Sequence, residues 1–375
     1  MGGEIRYEQI GNNAYLIHLI LYRDESGAAL PAVQGITIQH SNTTVNGQLN
    51  RLWIDKITNG CWKNGIERHI YTGTVTINDD NFTIRYEDCC RNTQITNLPS
   101  PGMQSLWIST KRFDNPGLSG VVNSSPVINT FSTFVVPAGV SREINFGASD
   151  PDGDSLVFSL GDPQGANGAP IYYGTSNGPI NGSFLIDSST GKVTVNGAVA
   201  QVAVIRIDID EYRNTPQGAV KIGSTFRDVQ IHFVNQPNNL PVMSGINNSQ
   251  HFSLQVLAGD TALFQVFATD ADAGDTLQWL WQPDIPDASI SVTTGARPVL
   301  TFEWITDSTD VQFAPHHQQL RVQDNNCNAP GEAVRTFSII VLPDTSELVW
   351  PGDTDNDLVA NVLDILPIGL AYGAQ

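Results

Sequence analysis

Short stretches that alternate apolar and polar residues, or run apolar for a few positions, cover most of this chain. Before residue 121 they read YLIHLILY, GITIQHS, RLWIDKI, RHIYTGTVTI and FTIRYED. A period of two sends successive side chains to opposite faces of an extended strand. GNN at 11–13, NG at 59–60 and NDDN at 78–81 fall between the runs and carry hairpin-turn chemistry. Strands this short, at this spacing, predict an immunoglobulin-type β-sandwich over residues 1–121. The pattern then restarts. VNSSP leads into a second unit, 122–236, with FVVPAG, REINFGASD, SLVFSL, GSFLIDSSTGKVTVN, AVIRIDIDEYRN and FRDVQIHFV. NQPNNLP opens a third, 237–343, and a tail of different character occupies 344–375.

The second and third units repeat each other. Each opens on Asn…Pro-Val, at Asn123…Pro126-Val127 and at Asn239…Pro241-Val242. Each has an Ala-Gly pair whose glycine lies eleven residues before an aspartate, Gly139 before Asp150 and Gly259 before Asp270. The period is too long for a solenoid, so tandem β-sandwiches are the economical reading. The fold class expected is all-β: tandem immunoglobulin- or cadherin-like sandwiches followed by a short tail that resembles a calcium loop.

Composition narrows the function classes. Thirty-eight acids face 19 Lys and Arg, for a net charge of −19, although only 15% of residues are charged. That balance argues against nucleic acid, whose phosphates need basic patches, and against anionic membranes. The longest apolar runs are far shorter than the roughly 18 residues that span a bilayer. Met1 is followed almost at once by strand-like sequence, without a basic and apolar leader; with the otherwise extracellular character, this suggests a mature-domain piece whose leader has been left out. Four cysteines, Cys61, Cys89, Cys90 and Cys327, allow three pairings. Cys61 with Cys89 or with Cys90 falls inside one predicted unit, free buried thiols are the alternative, and adjacent Cys89 and Cys90 would bond only with strain.

The chemistry concentrates in aspartate clusters. ASDPDGDSL places Asp150, Asp152 and Asp154 at every second position, and ATDADAGDTL supplies Asp270, Asp272 and Asp275. Like charges so close persist only if the loop is fully solvated or a cation holds them. Carboxylates at i, i+2 and i+4 in a turn converge on a hard cation, with Gly153 allowing the tight bend, and Ca²⁺ takes six to eight oxygens. Later in the second unit IDIDEY offers Asp208, Asp210 and Glu211, and Asp324 takes the equivalent place in the third. The tail DTDNDLVANVLD sets Asp353, Asp355, Asp357, Asn361 and Asp364 at positions 1, 3, 5, 9 and 12 of a twelve-residue loop, although position 6 is Leu358 where glycine is expected.

DPDGDSL, GSFLIDSSTGKVTV and VIRIDIDEYRN together resemble the cadherin-type repeat. The resemblance implies Ca²⁺ ligands at Asp150, Asp152, Asp154 and Asp210 with linker Asn123. In the third unit it implies Asp270, Asp272, Asp275 and Asp324 with Asn238 and Asn239. The linkers lack the acidic pair of that family, so one ion per unit, or weak binding, is expected. GGEIRYEQIGNNAYLIHLILYRDESG, YTGTVTI, FTIRYEDCCRNTQITN and RVQDNNCNAPGEAVRTFSIIV are similar to segments of very large surface proteins of gliding bacteria, which carry cadherin-like and PKD-like repeats. That family usually has cysteine where Glu25 stands here. The tail resembles half of a dockerin.

Three catalytic signatures are missing: HExxH, P-loop and GxGxxG do not occur. His316 and His317 are neighbours on a predicted strand and so face apart. Trp279 and Trp281 in WLW share a strand face and are candidates for stacking on a sugar, while sandwich-core tryptophan is the plainer reading. The expected protein is therefore a non-enzymatic, calcium-stiffened structural or adhesion fragment of a large bacterial cell-surface protein. Its partner would be a surface or matrix polymer, polysaccharide, or a second copy. A carbohydrate-binding accessory region of a secreted multi-domain hydrolase is the alternative.

Overall fold

The computed structural model describes residues 2–344 apart from 42, 57–64, 116, 117, 119, 129–134, 175–177, 236–237, 282–283, 313–314 and 327–330. The tail loop with Asp353, Asp355, Asp357, Asn361 and Asp364 therefore lies outside the described residues.

The first unit contributes β1 (Gly2–Gly11), β2 (Ala14–Asp24), β3 (Val33–His40), β4 (Thr43–Lys56), β5 (Ile66–Thr76), β6 (Phe82–Asp88) and β7 (Leu106–Arg112). The second contributes β8 (Val135–Pro137), β9 (Arg142–Asn145), β10 (Ser155–Gly161), β11 (Gly182–Ile186), β12 (Lys192–Gly197), β13 (Gln201–Thr215) and β14 (Gly218–Val234). The third contributes β15 (Val242–Met243), β16 (Ser253–Leu257), β17 (Thr261–Thr269), β18 (Leu277–Trp281), β19 (Ser289–Val292), β20 (Val299–Ile305), β21 (His316–Asp324) and β22 (Glu332–Leu342). The chain is all-β and built of tandem units of packed sheets.

Strand pairing in the first unit runs β1-β2-β5-β4-β3-β6-β7. The inward residues of these alternating strands make one core, in which Tyr7, Tyr15 and Phe82 meet edge to face at 5.1–5.8 Å between ring centres. Pairing then crosses the divide expected at residue 121. β14 pairs along one edge with β13 over its whole length. Along its other edge it meets β7 at Gly223–Thr225, β1 at Arg227–Val229 and β8 at His232–Val234. Both ends of the first sheet are thereby covered, which removes two edges that could recruit other chains.

Residues 225–233 of β14 are all buried, on both faces. Phe226 joins the first core, whereas Val229, Ile231 and Phe233 join the second. The polar members are paired. Arg91 donates to both oxygens of Asp228 at 2.9 and 2.7 Å, and Arg227 pairs with Glu4 at 2.7 Å and donates to the Tyr22 hydroxyl at 2.7 Å. Asn97, fully buried, reaches from the first unit to both backbone groups of Val204 and to the Pro179 carbonyl.

A three-stranded sheet, β11-β12-β9, closes the second sandwich over Val193, Val195, Ile205 and Ile207. The third unit packs β15-β17-β20-β19 against β16-β22-β21-β18 around Phe264, Phe302, Trp279 and Phe337, a core separate from the other two.

Cysteine pairing departs from the expected Cys61–Cys89. Cys89 is bonded to its neighbour Cys90, which leaves its sulfur no valence for Cys61. Cys61 and Cys327 lie outside the described residues. Glu25 forms an ion pair with Lys56 at 2.7 Å.

Candidate metal centres

The acidic turn of the second unit sits between Ser149 and β10. Gly153 has φ +79°, the bend that lets Asp150 and Asp154 face the same way. Asp150 Oδ1 accepts the backbone N–H groups of Asp152 and Asp154 at 2.9 and 3.1 Å, which leaves its Oδ2 pointing inward without a partner. The third carboxylate comes from β13. Ile205, Ile207 and Ile209 line the inward face of that strand, and the next inward residue is Glu211. Carboxylate oxygens of Asp150, Asp154 and Glu211 lie within 4.8 Å of one another.

Glu211 corrects the expectation for Asp210. On a strand the two point to opposite faces. Asp210 turns outward, where it accepts from Ser224 at 2.7 Å and pairs with Lys221 at 2.6 Å. Glu211 is 0% exposed, and its oxygens make no well-formed hydrogen bond, the Asn123 amide being a neighbouring donor. A side chain on Gly223 would come within 2.6 Å of it, so glycine there keeps the space for the carboxylate. Burial, and then the charge of Asp150, push the Glu211 carboxyl up to about 8, which Asn123 offsets only partly. Burial likewise raises Asp150 to about 6.

The rest of the expected set fastens the linker. Asp152 Oδ2 accepts the backbone N–H of Ser124 at 2.6 Å. Asn123 donates to the Tyr7 hydroxyl at 3.1 Å and accepts from Arg213 at 2.9 Å. Arg213 also forks onto both oxygens of Asp154, the first at 2.7 Å. Through Ser124 and Ser125, which bond to Gln9 and Tyr7 of β1, this cluster sits at the junction of the first two units.

The third unit repeats the design. Register establishes the equivalence: Leu156, two residues after Asp154, lies opposite Glu211, and Leu277, two after Asp275, lies opposite Asp324. Asp270, Asp275 and Asp324 bring carboxylate oxygens within 4.8 Å of one another. Asp270 Oδ2 and Asp275 Oδ2 are buried without partners. Burial raises both Asp275 and Asp324, with Asp270 and Asp272 adding to the rise at Asp275. Asp272, like Asp152, fastens the linker, accepting from the backbone and side-chain nitrogens of Asn239 at 2.8 Å each. Asn238 donates to Asp324 at 2.7 Å, so this cluster stands where the second unit meets the third.

Trp279 and Trp281 do not present one exposed face. Trp279 is 4% exposed and belongs to the third core, because its strand face is the inward one; Trp281, at the strand end, is 37% exposed. His316 and His317 part as expected, His316 toward the Asp310 carbonyl and His317 toward Ser338. No helix among the described residues is long and apolar enough to cross a membrane.

No family model matches the chain, and no curated protein does. Solved structures similar to it include the Dpr2 Ig1-Ig2 region in complex with DIP-Theta Ig1-Ig3, at 10% identity over 59% of this chain and 99% of that one, TM-score 0.23. The tandem Ig repeats of Dlar match at 14% identity over 56% and 94%, TM-score 0.24. The fibronectin(III)-like modules of Clostridium thermocellum CbhA match at 12% over 60% and 96%, TM-score 0.20.

Proposed function

We propose that the chain is a calcium-stiffened structural and adhesion segment of a large extracellular surface protein, with one ion held at each junction between units. The observation that carries this reading is Glu211: a fully buried carboxylate that makes no well-formed hydrogen bond, with the Asn123 amide beside it, directed at two further carboxylates. A buried unpaired charge costs several kcal/mol, so such a group needs a proton or a cation. The donors are all hard oxygens, the set Ca²⁺ prefers over softer metals. When bound, the ion would neutralise the repulsion among the acids. Asp150, Asp154 and Glu211 would hold it at the first junction, and Asp270, Asp275 and Asp324 at the second.

Position links binding to function. Asp152 and Asp272 fasten the two linkers next to the clusters, so ordering each acidic turn also orders the neighbouring joint. Extracellular modules bind calcium at roughly 10⁻⁴ to 10⁻³ M, so the sites would fill outside cells. At ten-fold saturation each ion adds about 1.4 kcal/mol of stability. A stiff rod of this kind would hold its surfaces out toward a matrix polymer, a polysaccharide or a second copy.

Calorimetric calcium titration and thermal melts in calcium or in chelator test the reading. Saturable binding of two ions with a raised melting temperature is expected, and one ion should be lost in Glu211→Gln and one in Asp324→Asn. Identical melts with no binding heat would reject it.

A further inference from the structure

The two junctions differ at one matched position. Counting two residues on from the matched pair Glu211 and Asp324, the second unit has Arg213 and the third has Asn326. Both side chains reach the linker asparagine of their junction: Arg213 donates to Asn123 Oδ1 at 2.9 Å, and Asn326 donates to Asn238 Oδ1 at 3.0 Å. They therefore do the same structural work with different charge. Arg213 also occupies both oxygens of Asp154, a residue whose side chain is 4% exposed. Asn326 brings no charge, and its backbone N–H bonds to Asp324 at 2.9 Å. Among the described residues no Lys or Arg forms an ion pair with Asp270, Asp275 or Asp324. Arg142 is close enough to feel Asp324, but it spends its contact on the Asn238 carbonyl at 3.5 Å.

We propose that Arg213 is a built-in cation that weakens calcium binding at the first junction, so that the second junction fills first and the two joints stiffen at different calcium concentrations. This rests on the calcium reading above. The first cluster sets four carboxylates against a guanidinium that forks onto one of them; in the second, four carboxylates meet only Arg142, which acts on Asp324 at longer range without an ion pair. An ion entering the first cluster must share Asp154 with the fork of Arg213 and approach its positive charge. A guanidinium has no neutral form at ordinary pH, so the opposition is permanent. Even while the first site is empty, Arg213 ties Asp154 to Asn123 and to the Val122 carbonyl, which keeps that joint partly ordered without calcium. The second joint is tied instead by uncharged donors, Asn326 to Asn238 and Asn238 to Asp324, which do not oppose an entering ion.

Calcium titration of the full chain by calorimetry tests this. Two affinity classes are expected, the weaker lost in Glu211→Gln and the tighter lost in Asp324→Asn. Arg213→Gln should tighten the weaker class about ten-fold, the size expected for removing a unit charge a few ångströms from a divalent ion in largely aqueous dielectric. Arg213→Lys, which keeps the charge but not the fork, should leave that class weak. Asn326→Arg should loosen the tighter class. If Arg213→Gln and Arg213→Lys change the weaker class alike, Arg213 only organises the linker and the proposal fails while the calcium reading stands. A tighter class that disappears in Glu211→Gln instead of Asp324→Asn also overturns it. Absence of calcium binding in the unaltered chain would remove both.

Discussion

At the scale of the residue, Glu211 and Asp210 show how one position decides between a site and a surface. They are neighbours in IDIDEY, yet one is 0% exposed and the other pairs with Lys221 at the surface. The alternation Ile205, Ile207, Ile209, Glu211 was present in the sequence and, taken to its end, places Glu211 inside. Resemblance to an Asp-bearing strand pointed one residue short of it. The two residues therefore separate in an experiment. Asp210→Asn should leave calcium binding intact and cost under about 1 kcal/mol, the usual worth of a half-exposed ion pair. Glu211→Gln should remove one equivalent of calcium; equal effects on binding would mean that the face assignment is wrong. A second residue-scale test concerns Asp284, which accepts the Gln319 backbone N–H at 2.9 Å in the third unit. Burial raises its carboxyl to about 6, opposed by that hydrogen bond. Between the unfolded value of about 3.9 and the folded one, the folded chain holds a proton that the unfolded chain has released. Stability from this group is therefore highest below that window and falls as pH rises through it. Asp284→Asn cannot titrate, so the variant should gain on the unaltered chain between pH 4 and pH 7 in thermal melts. A constant difference across that range would contradict the assignment.

At the scale of the element, β14 is the strand that sequence patterning describes least well. TFRDVQIHF mixes charged, polar and apolar residues, which reads as one buried and one solvated face, but both faces are buried. What the local pattern lacks is the pairing across more than a hundred residues to β7 and β1, which brings Glu4 of β1 to Arg227 and Arg91, from the connection between β6 and β7, to Asp228. The acidic turns were legible for the opposite reason: their convergence is set within a few residues by Asx-type hydrogen bonds and one glycine. The β14 pairs have a testable consequence. Arg91 and Asp228 have side chains only 4% and 0% exposed. Asp228→Ala leaves the guanidinium buried without its counter-ion, and breaking such a pair costs about 3–5 kcal/mol. Chemical denaturation should register that loss in the first two units, and a loss below about 1 kcal/mol would place the pair among the solvated ones.

At the scale of the whole molecule, three sandwiches do not mean three independent bodies. The first two share β14, and Tyr22 and Ile66 of the first unit pack into the core of the second. Ordering either one alone would expose an edge and strand buried charges, so the two should unfold together. The third unit has its own core and meets the second through linker asparagines and marginal contacts, such as Arg335 with Glu143 at 3.8 Å and Asn145 with Thr336 at 3.5 Å. In chelator, scanning calorimetry of the full chain should therefore resolve two transitions. Phe302, 0% exposed and stacked on Phe264 at 4.8 Å, belongs to the third core alone. Phe302→Ala should cost about 3–5 kcal/mol, shift one transition and leave the other in place. Phe226→Ala on β14 should shift the other one. Adding calcium should then draw the two transitions closer, because an ion at the second junction links the third unit to the body it adjoins. If Phe302→Ala moved both transitions in chelator, the joint would be rigid without an ion, and calcium would have no stiffening left to supply there.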